Sequence, residues 1–354
     1  MGGSQIVLSS QLSDIRASTD KEKVEVSLFC GHGLNDEAET FYTTTLYAFN
    51  GIVEFSDVAA LIESYFRQRR KVIDTVTITI DTVTAEIEVL YCEYAMTDSF
   101  DPQTALFISS EVRRVHQDSI ITLAALDRGA DTPFMIKAVG HEIGGNSLAV
   151  VWKTETRQFN RENSVCFSVS EIIRWAMNQS EMEAGADLRD VLYFSISYAG
   201  KQLMCYIVPA PAYLTFSFRN MFNVEEFIDV AGEITVKTET SRDTAVCNGI
   251  SRQYNRTVTR TYQVQTEPLT SAEVSLFEQF LSSHEVRMYL DDVCEVIITD
   301  HTCEPSSDDD TLVTMKFTWR FAGRQPRMFD NAAINGIMPS RRRIFDEKFS
   351  AEYE

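Results

Sequence analysis

The sequence predicts an α+β protein that is predominantly β, with two related antiparallel β-sandwich-like domains that each carry a short covering helix. Three observations predict this fold. Short runs rich in Val, Ile, Thr, Tyr and Phe recur along most of the chain, and many alternate apolar with polar residues. Only three segments have the three- and four-residue apolar spacing of an amphipathic helix. Short residue patterns in the first half recur in the second half at a nearly constant separation along the sequence.

The composition predicts a folded protein and argues against several classes of partner. The 354 residues are enough for two domains with a core each, and 44% hydrophobic with 24% charged residues is ordinary. The net charge of −20 repels nucleic acid and anionic lipid, so we expect neither as a partner. The basic clusters at 67–71 and 341–343 are expected to lie at the ends of secondary-structure elements or in a tail, where water solvates their charges. Without an apolar run of 18 residues or a secretory signal pattern, we expect synthesis in a cytosol and no membrane contact.

The first half of the chain predicts one helix within a series of strands. Residues 1–22 are polar and predict an N-terminal arm. Ser56 is the expected N-cap of a helix that ends in a basic cluster, which suits a helix C-terminus. Residues rich in β-branched and aromatic types predict strands at 24–29, 40–47, 52–55, 76–80, 85–94, 106–108, 120–126 and 134–139.

The second half predicts two further helices. Ser170 is the expected cap of the first, and Thr270 with Glu273 forms a capping box for the second. Side chains along 312–321 alternate, which predicts one face toward a core and one toward water or a neighbouring subunit. The predicted strands are 148–154, 165–169, 191–198, 202–208, 233–238, 256–265, 285–290, 293–300 and 312–321.

The repeated landmarks predict a tandem organisation. Ser56 and Ser170 lie 114 residues apart, and Ile121 and Ile234 lie 113 apart. The alternative is that two strand–helix–hairpin series align by chance. The Gly-rich turn near 140–146 predicts the domain boundary. The predicted division is an N-terminal arm at 1–22, β-rich domain 1 at 23–143, β-rich domain 2 with an extra helix and strands at 144–323, and a C-terminal arm at 324–354.

No segment carries the pattern of an active site. His301 lies between Cys294 and Cys303 near the acidic run 308–310, but this spacing fits no common structural zinc motif. His141 lacks a second histidine at helical spacing, and no Gly-x-Ser-x-Gly motif occurs. Most of the seven cysteines lie in apolar, strand-like runs, so we expect them to be buried free thiols. We predict no catalytic, cofactor-binding or metal-ligating residue and expect no cofactor, while a hydrolase-type carboxylate pair and a weak divalent-cation site on the acidic run stay open.

The sequence resembles one family in several stretches. Phe216–Asn223, Pro268–Thr270 and Val296–Asp300 resemble proteins encoded close to tail genes in phages and prophages of gut anaerobic bacteria. Ile52–Phe66 and Tyr91–Met96 are similar to the same family. The resemblance covers much of the chain. It implies a virion or tail-assembly component built of β-domains, without catalytic residues.

We therefore predict a non-enzymatic structural or assembly protein. The expected setting is a phage tail or baseplate, where the chain acts as a homo-oligomer through contacts with its own copies and with other virion proteins. It is expected to be made in the bacterial host cytoplasm and located in the virion. Edge strands, end arms and an acidic charge that keeps free subunits soluble suit this role. The alternatives are a carbohydrate- or receptor-binding module with a glycan ligand, and a hydrolase.

Overall fold

A computed structural model shows a chain dominated by strands. It describes residues 6–31, 39–94, 96, 100–129, 131–143, 145, 147–178, 188–209, 213–289, 293–302 and 313–323. Strands make up 57% and helices 13% of this part of the chain, which confirms the predominantly β class and the three predicted helices. The sandwich arrangement stays a prediction. The C-terminal arm predicted at 324–354 and the acidic run at 308–310 lie outside the described residues.

The first group of strands, unit 1, spans residues 6–92. Five of its strands form one sheet in the order β1-β7-β6-β3-β4, in which β1 is parallel to β7 and the other neighbours are antiparallel. Strands β2 and β5 pair separately. Its elements are β1 (Ile6–Leu8), β2 (Ile15–Ser18), β3 (Lys23–Cys30), β4 (Glu39–Tyr47), β5 (Ile52–Phe55), α1 (Val58–Arg69), β6 (Ile73–Ile80) and β7 (Val83–Leu90).

The second group, unit 2, spans residues 106–208 and has the connectivity of unit 1. Its sheet has the order β11-β10-β13-β14-β8, β8 is parallel to β14, and β9 pairs with β12. Its elements are β8 (Val112–Val115), β9 (Ile120–Ala124), β10 (Phe134–His141), β11 (Leu148–Glu155), β12 (Ser164–Ser168), α2 (Val169–Met177), β13 (Tyr193–Tyr198) and β14 (Lys201–Ile207). Each strand of unit 1 thus has a counterpart seven strands later. A shared topology does not by itself establish common descent, so the domain relationship stays a prediction.

The third group, unit 3, spans residues 214–321 and repeats part of the same plan. Its seven-stranded sheet has the order β16-β15-β19-β20-β21-β18-β17. The four strands β16-β15-β19-β20 repeat the arrangement β4-β3-β6-β7, with a helix again directly before the third of them. Its elements are β15 (Leu214–Arg219), β16 (Glu225–Val230), β17 (Gly232–Cys247), β18 (Ile250–Thr266), α3 (Ser271–Ser282), β19 (Val286–Tyr289), β20 (Val293–Thr302) and β21 (Lys316–Phe321).

Each unit buries an apolar sheet face. In unit 1, α1 places Ile62 and Phe66 against the β3 and β6 side chains, and these residues belong to one buried cluster. In unit 2, Ile172 of α2 lies in a larger cluster that also includes Ile6 and Leu90 of unit 1 and Phe222 of unit 3. The alternating burial along β3 and β6 is the period-two pattern of a strand with one covered face.

Several local predictions differ from the structure. Residues 6–18 of the predicted arm are folded, since Ile6 and Leu8 are buried and β1 pairs with β7. Helix α1 begins at Val58 without a side-chain cap from Ser56, and the residue that precedes α2 is Ser168 rather than Ser170. The predicted boundary at 143/144 falls between β10 and β11, which pair along eight residues.

Candidate functional site

The turn between β15 and β16 lies where the three units meet. Asn223 has φ +62°, a conformation that asparagine tolerates better than most residues. Its side-chain amide donates hydrogen bonds to the carbonyls of Phe66 and Lys71 at the C-terminal end of α1, both at 3.0 Å. The amide of Asn220 donates to the carbonyl of Phe107 in unit 2 at 2.9 Å. This turn, residues 220–223, therefore ties unit 3 to both other units.

A buried ion pair joins units 2 and 3 beside the same turn. Arg113 of β8 contacts Glu226 of β16, and the two side chains are 3% and 0% exposed. Glu226 also accepts hydrogen bonds from the main-chain N–H and the hydroxyl of Ser109, at 2.7 and 2.8 Å, and from the amide of Asn220. Several charge-assisted bonds therefore compensate this buried carboxylate, as burial of a charge requires.

A second polar cluster brings together a serine, a histidine and an aspartate. Asp229 of β16 accepts hydrogen bonds from the hydroxyls of Ser119 and Thr215. Burial raises the pKa of the Asp229 carboxyl above its ordinary value, and the hydroxyl bonds only partly offset that effect. The Nδ1 atom of His116 lies 3.0 Å from the carbonyl of Val208. Ser119 thus bonds directly to the carboxylate, which is not the serine–histidine–aspartate order of a catalytic triad.

The cavity beside this cluster is small. Its volume of about 50 Å³ holds a few water molecules, whereas typical ligand pockets measure roughly 300 Å³ or more. Arg114, which lines it, is paired with Glu273. Glu273 also accepts the main-chain N–H and the hydroxyl of Thr270, both at 2.8 Å, at the start of α3, where the capping motif was predicted. Arg114 and Glu273, two of the charged groups on these walls, are therefore already engaged.

Among the described residues, the histidine positions weighed in the sequence, His141 and His301, do not form part of a metal-type cluster. His141 lies with its Nδ1 2.9 Å from an oxygen of Asp190, and hydrogen bonds from His141 lower the pKa of that carboxyl. His301 is exposed on β20, and Cys303 lies outside the described residues. In the part of the chain that the structure describes, no group of three or more His, Cys, Asp and Glu is arranged to hold a metal ion. None of the described helices has the length and apolar character to cross a membrane.

The basic cluster at the end of α1 is neutralised by acidic partners. Arg69 contacts Glu39, and Lys71 contacts Asp74. Arg70 donates to Glu285 of unit 3 at 2.8 Å. These cations therefore form links within the protein instead of a basic surface for nucleic acid.

A long hairpin projects from unit 3. Strand β18 pairs with β21 only at residues 262–265, so its earlier part has β17 as its sole neighbour among the described strands. Every residue from 235 to 258, which we call the finger, is exposed. The finger turns at Asn248-Gly249, with φ of +55° and +74°, the combination that favours a tight hairpin turn.

The chemistry of the finger differs from that of the remaining chain. Four basic and two acidic residues give it a net charge of +2, whereas the remainder of the chain carries −22. Its tip is apolar: Val246, Ile250 and Tyr254 are 72%, 58% and 71% exposed. An isolated two-stranded hairpin is marginally stable in water, which suggests that the finger acquires further contacts from outside this chain.

The sequence prediction missed most of this finger. It placed strands at 233–238 and 256–265 and left the intervening residues unassigned. The Asn-Gly pair between two runs of Thr, Val and Tyr is the signal that predicts a hairpin here.

A second exposed apolar surface lies on unit 2. Leu148, Val150 and Trp152 alternate along β11 and are 60%, 46% and 64% exposed, and Met135 of the adjacent β10 is 44% exposed. We call these four residues the β11 patch. Strand β11 is an edge strand, with β10 as its only neighbour among the described strands. An apolar edge strand is a favourable site for contact with another chain.

Comparisons with known proteins give little that bears on function. No protein-family model matches the chain, and no curated protein matches it. One solved structure with partial similarity is a chain from the tail of an empty GTA particle, reconstructed by helical refinement with C6 symmetry. The two are 13% identical, and the match covers 31% of this chain and 92% of the other with a TM-score of 0.21. A similarity of this size does not define a shared fold.

Proposed function

We propose that this chain is a non-enzymatic structural subunit that assembles with its own copies through the finger. The observation that carries the proposal is the exposure of all 24 residues from 235 to 258. A regular hairpin of this length with an apolar tip gains little stability from its own chain. It gains apolar burial when its tip packs on a neighbour.

The setting we propose is a phage tail or baseplate, with the virion as final location and other virion proteins as further partners. The sequence resemblance to phage tail-associated proteins supports this setting. The charge distribution supports assembly, because the body of the chain carries −22 and keeps free subunits soluble while the finger carries +2. The local positive charge of the finger reduces the repulsion where two acidic bodies meet.

The contacts of the buried polar groups support a structural role for the clusters that these groups form. Glu226, Arg113 and Glu273 are each held by partners from a different part of the chain. The cavity beside Asp229 is too small for most organic substrates. We therefore propose that these clusters hold the units together and perform no chemistry.

The test is the native mass of two chains across a range of concentrations, by native mass spectrometry and light scattering. The first chain is the full sequence. The second is a short-finger variant in which Thr238–Arg260 is replaced by Asn-Gly, because Lys237 and Thr261 are directly paired and a two-residue turn can join them. We expect a defined oligomer for the full chain and a monomer for the variant.

The control is the thermal unfolding of both chains, which should occur at nearly the same temperature because the deleted residues are exposed, apart from the partly buried Thr259 and Arg260. A full chain that stays monomeric at every concentration contradicts the assembly proposal. An equally stable oligomer of the short-finger variant contradicts the role of the finger.

A further inference from the structure

The outer faces of the two matching sheets differ in chemistry. In unit 1 the outer face of β3 and β4 pairs Glu25 with Thr45 and Ser27 with Thr43, and it is polar in the middle, with Tyr47 near one end and Phe29 near the other. This is the composition of a solvated sheet face.

The corresponding face of unit 2 is largely apolar, with Lys137 as its charged residue. Lys137 pairs with Trp152, and Val139 pairs with Val150, on the side of β10 and β11 that faces away from α2. Met135 lies two residues from Lys137 on the same side of β10. Since the two sheets share one topology, unit 1 shows how a solvent-facing surface of this sheet is composed. Unit 2 departs from that composition at the β11 patch, which indicates a contact surface.

We propose that the β11 patch of one copy binds the finger tip of a second copy. This inference rests on the proposed function and specifies its interface. Both surfaces are apolar and exposed, and within the part of the chain that the structure describes nothing buries the tip. At about 3.3 Å per residue, the 13 residues from 235 to 247 extend roughly 40 Å, enough to reach across a neighbouring subunit.

The overall charge distribution favours the finger of a second copy as the occupant of the patch, although Lys137 beside Trp152 has the same sign as the finger. The finger is the positively charged part of a chain whose remainder is strongly acidic. Between copies, each finger therefore approaches a body of opposite charge, and complementary charge favours the correct encounter.

This contact is heterologous, because the tip and the patch are different surfaces of one chain. Each copy donates one tip and accepts another. Such contacts close into a ring when the rotation between copies permits it and extend into a filament when it does not.

The test uses two variants, each defective in one surface. The patch variant is Trp152→Glu, and the tip variant combines Val246→Asp with Tyr254→Asp. Each alone is expected to raise the concentration for half-assembly by about 30-fold or more, as loss of a central aromatic contact does. Mixed in equal amounts, the two should form a 1:1 dimer, since one intact patch and one intact tip remain.

The matched control is Val83→Asp, which changes a 68% exposed side chain of unit 1 and should assemble like the unaltered chain.

Each outcome decides a separate point. An unaltered chain that remains monomeric contradicts the proposed function. An unaltered chain that assembles while Trp152→Glu assembles equally well leaves the proposed function intact and overturns this inference. If the patch variant is monomeric but the tip variant assembles normally, the patch has another occupant. A truncation after Gly323 then tests whether that occupant lies in residues 324–354, with loss of assembly as the result that assigns it there.

A cross-link provides an independent measurement. Cys247 is exposed beside the tip, so it supplies a native thiol. In a Thr154→Cys variant, next to the patch on β11, a mild oxidant should produce a disulfide between copies that contains Cys247. The same treatment of Val83→Cys should not produce one, and equal cross-linking of both variants would overturn the proposed contact.

Discussion

At the scale of single residues, the most consequential side chain is Glu226. It is fully buried and neutralises Arg113, so its removal leaves an uncompensated charge in the interior. We expect Glu226→Ala to reduce the free energy of unfolding by about 3–5 kcal/mol. Urea denaturation measures this loss. The matched control is Glu54→Ala, which breaks the exposed pair with Arg16 and should cost about 1 kcal/mol or less. Equal losses for the two variants would contradict the role assigned to Glu226.

Asp229 predicts a pH dependence of stability. Its pKa is raised in the folded protein because burial disfavours the ionised carboxyl. The folded state therefore holds a proton more tightly than the unfolded state. The resulting stability is present at pH values below the ordinary pKa of 3.8 and is lost as the pH rises through the raised pKa.

The variant Asp229→Asn removes this dependence while it keeps an oxygen that can accept from Ser119 and Thr215. We expect the variant to gain stability relative to the unaltered chain as the pH is raised from 4 to 7. Denaturant unfolding at several pH values measures the difference between the two chains. A difference that does not change with pH would show that Asp229 has no raised pKa.

Residues such as Arg113 and His116 show where local sequence patterns fail. The segment around them has the composition of a polar loop, yet β8 runs through it and both side chains are buried. The partner of Arg113 lies 113 residues further along the chain. A pairing over that distance leaves no periodic signal, so sequence patterns alone could not locate it.

At the scale of elements, the finger should behave as a unit separate from the core. Among the described strands, its ladder hydrogen bonds lie between its own two strands, and its side chains are exposed. We expect amide exchange at 240–257 to be more than about 100-fold faster than in β15, which has a strand on each side. Hydrogen–deuterium exchange of the dilute chain measures this difference.

The same measurement in the assembled state tests what covers the finger. Protection is expected to increase at the tip, around 246–254, when the concentration is raised to favour oligomers. Residues 262–265 provide the internal control, since they already lie between two strands and should change little. A finger that exchanges as slowly as β15 in the dilute state would show that it is stabilised within its own chain.

Element types were largely predictable, whereas element limits depended on context. The three helices and most strands follow from apolar spacing and β-branched content. Strand β16 was missed because two glutamates and an aspartate interrupt its apolar alternation. One of them, Glu226, is buried through its ion pair with Arg113, a distant residue that the local sequence does not reveal. The exposed face of β11 was not predicted either. Because its first five residues are all apolar, the sequence predicts a strand there but does not indicate which of its faces is exposed.

At the scale of the whole molecule, the turn at 220–223 should make the three units unfold together. Its residues belong to Phe216–Asn223, one of the stretches that carry the resemblance described above, but their function as a junction depends on contacts with residues more than a hundred positions away. Of the predicted landmarks, only Ser56 and Ser170 lie at matching places, at the starts of α1 and α2. Ile121 and Ile234 lie in β9 of unit 2 and β17 of unit 3, which are not counterparts. The similarity of unit 3 was not predicted, because the finger is inserted where the other units have one short strand.

Asn223 provides the sharpest test of this coupling. Its amide donates to the carbonyls of Phe66 and Lys71, so Asn223→Ala removes this donor from the Lys71 carbonyl and leaves the Phe66 carbonyl with main-chain donors such as the N–H of Lys71. We expect the variant to lose about 1–3 kcal/mol of unfolding free energy. We also expect its calorimetric trace to change from one transition to two, because unit 1 then unfolds at a lower temperature than units 2 and 3. The matched control is Asn248→Ala at the finger turn, which also replaces an asparagine with positive φ but lies at an exposed end of the fold. If both variants kept a single transition at the same temperature, the remaining contacts of unit 1, which include its apolar packing and the Arg70–Glu285 pair, would be sufficient to couple it to the others.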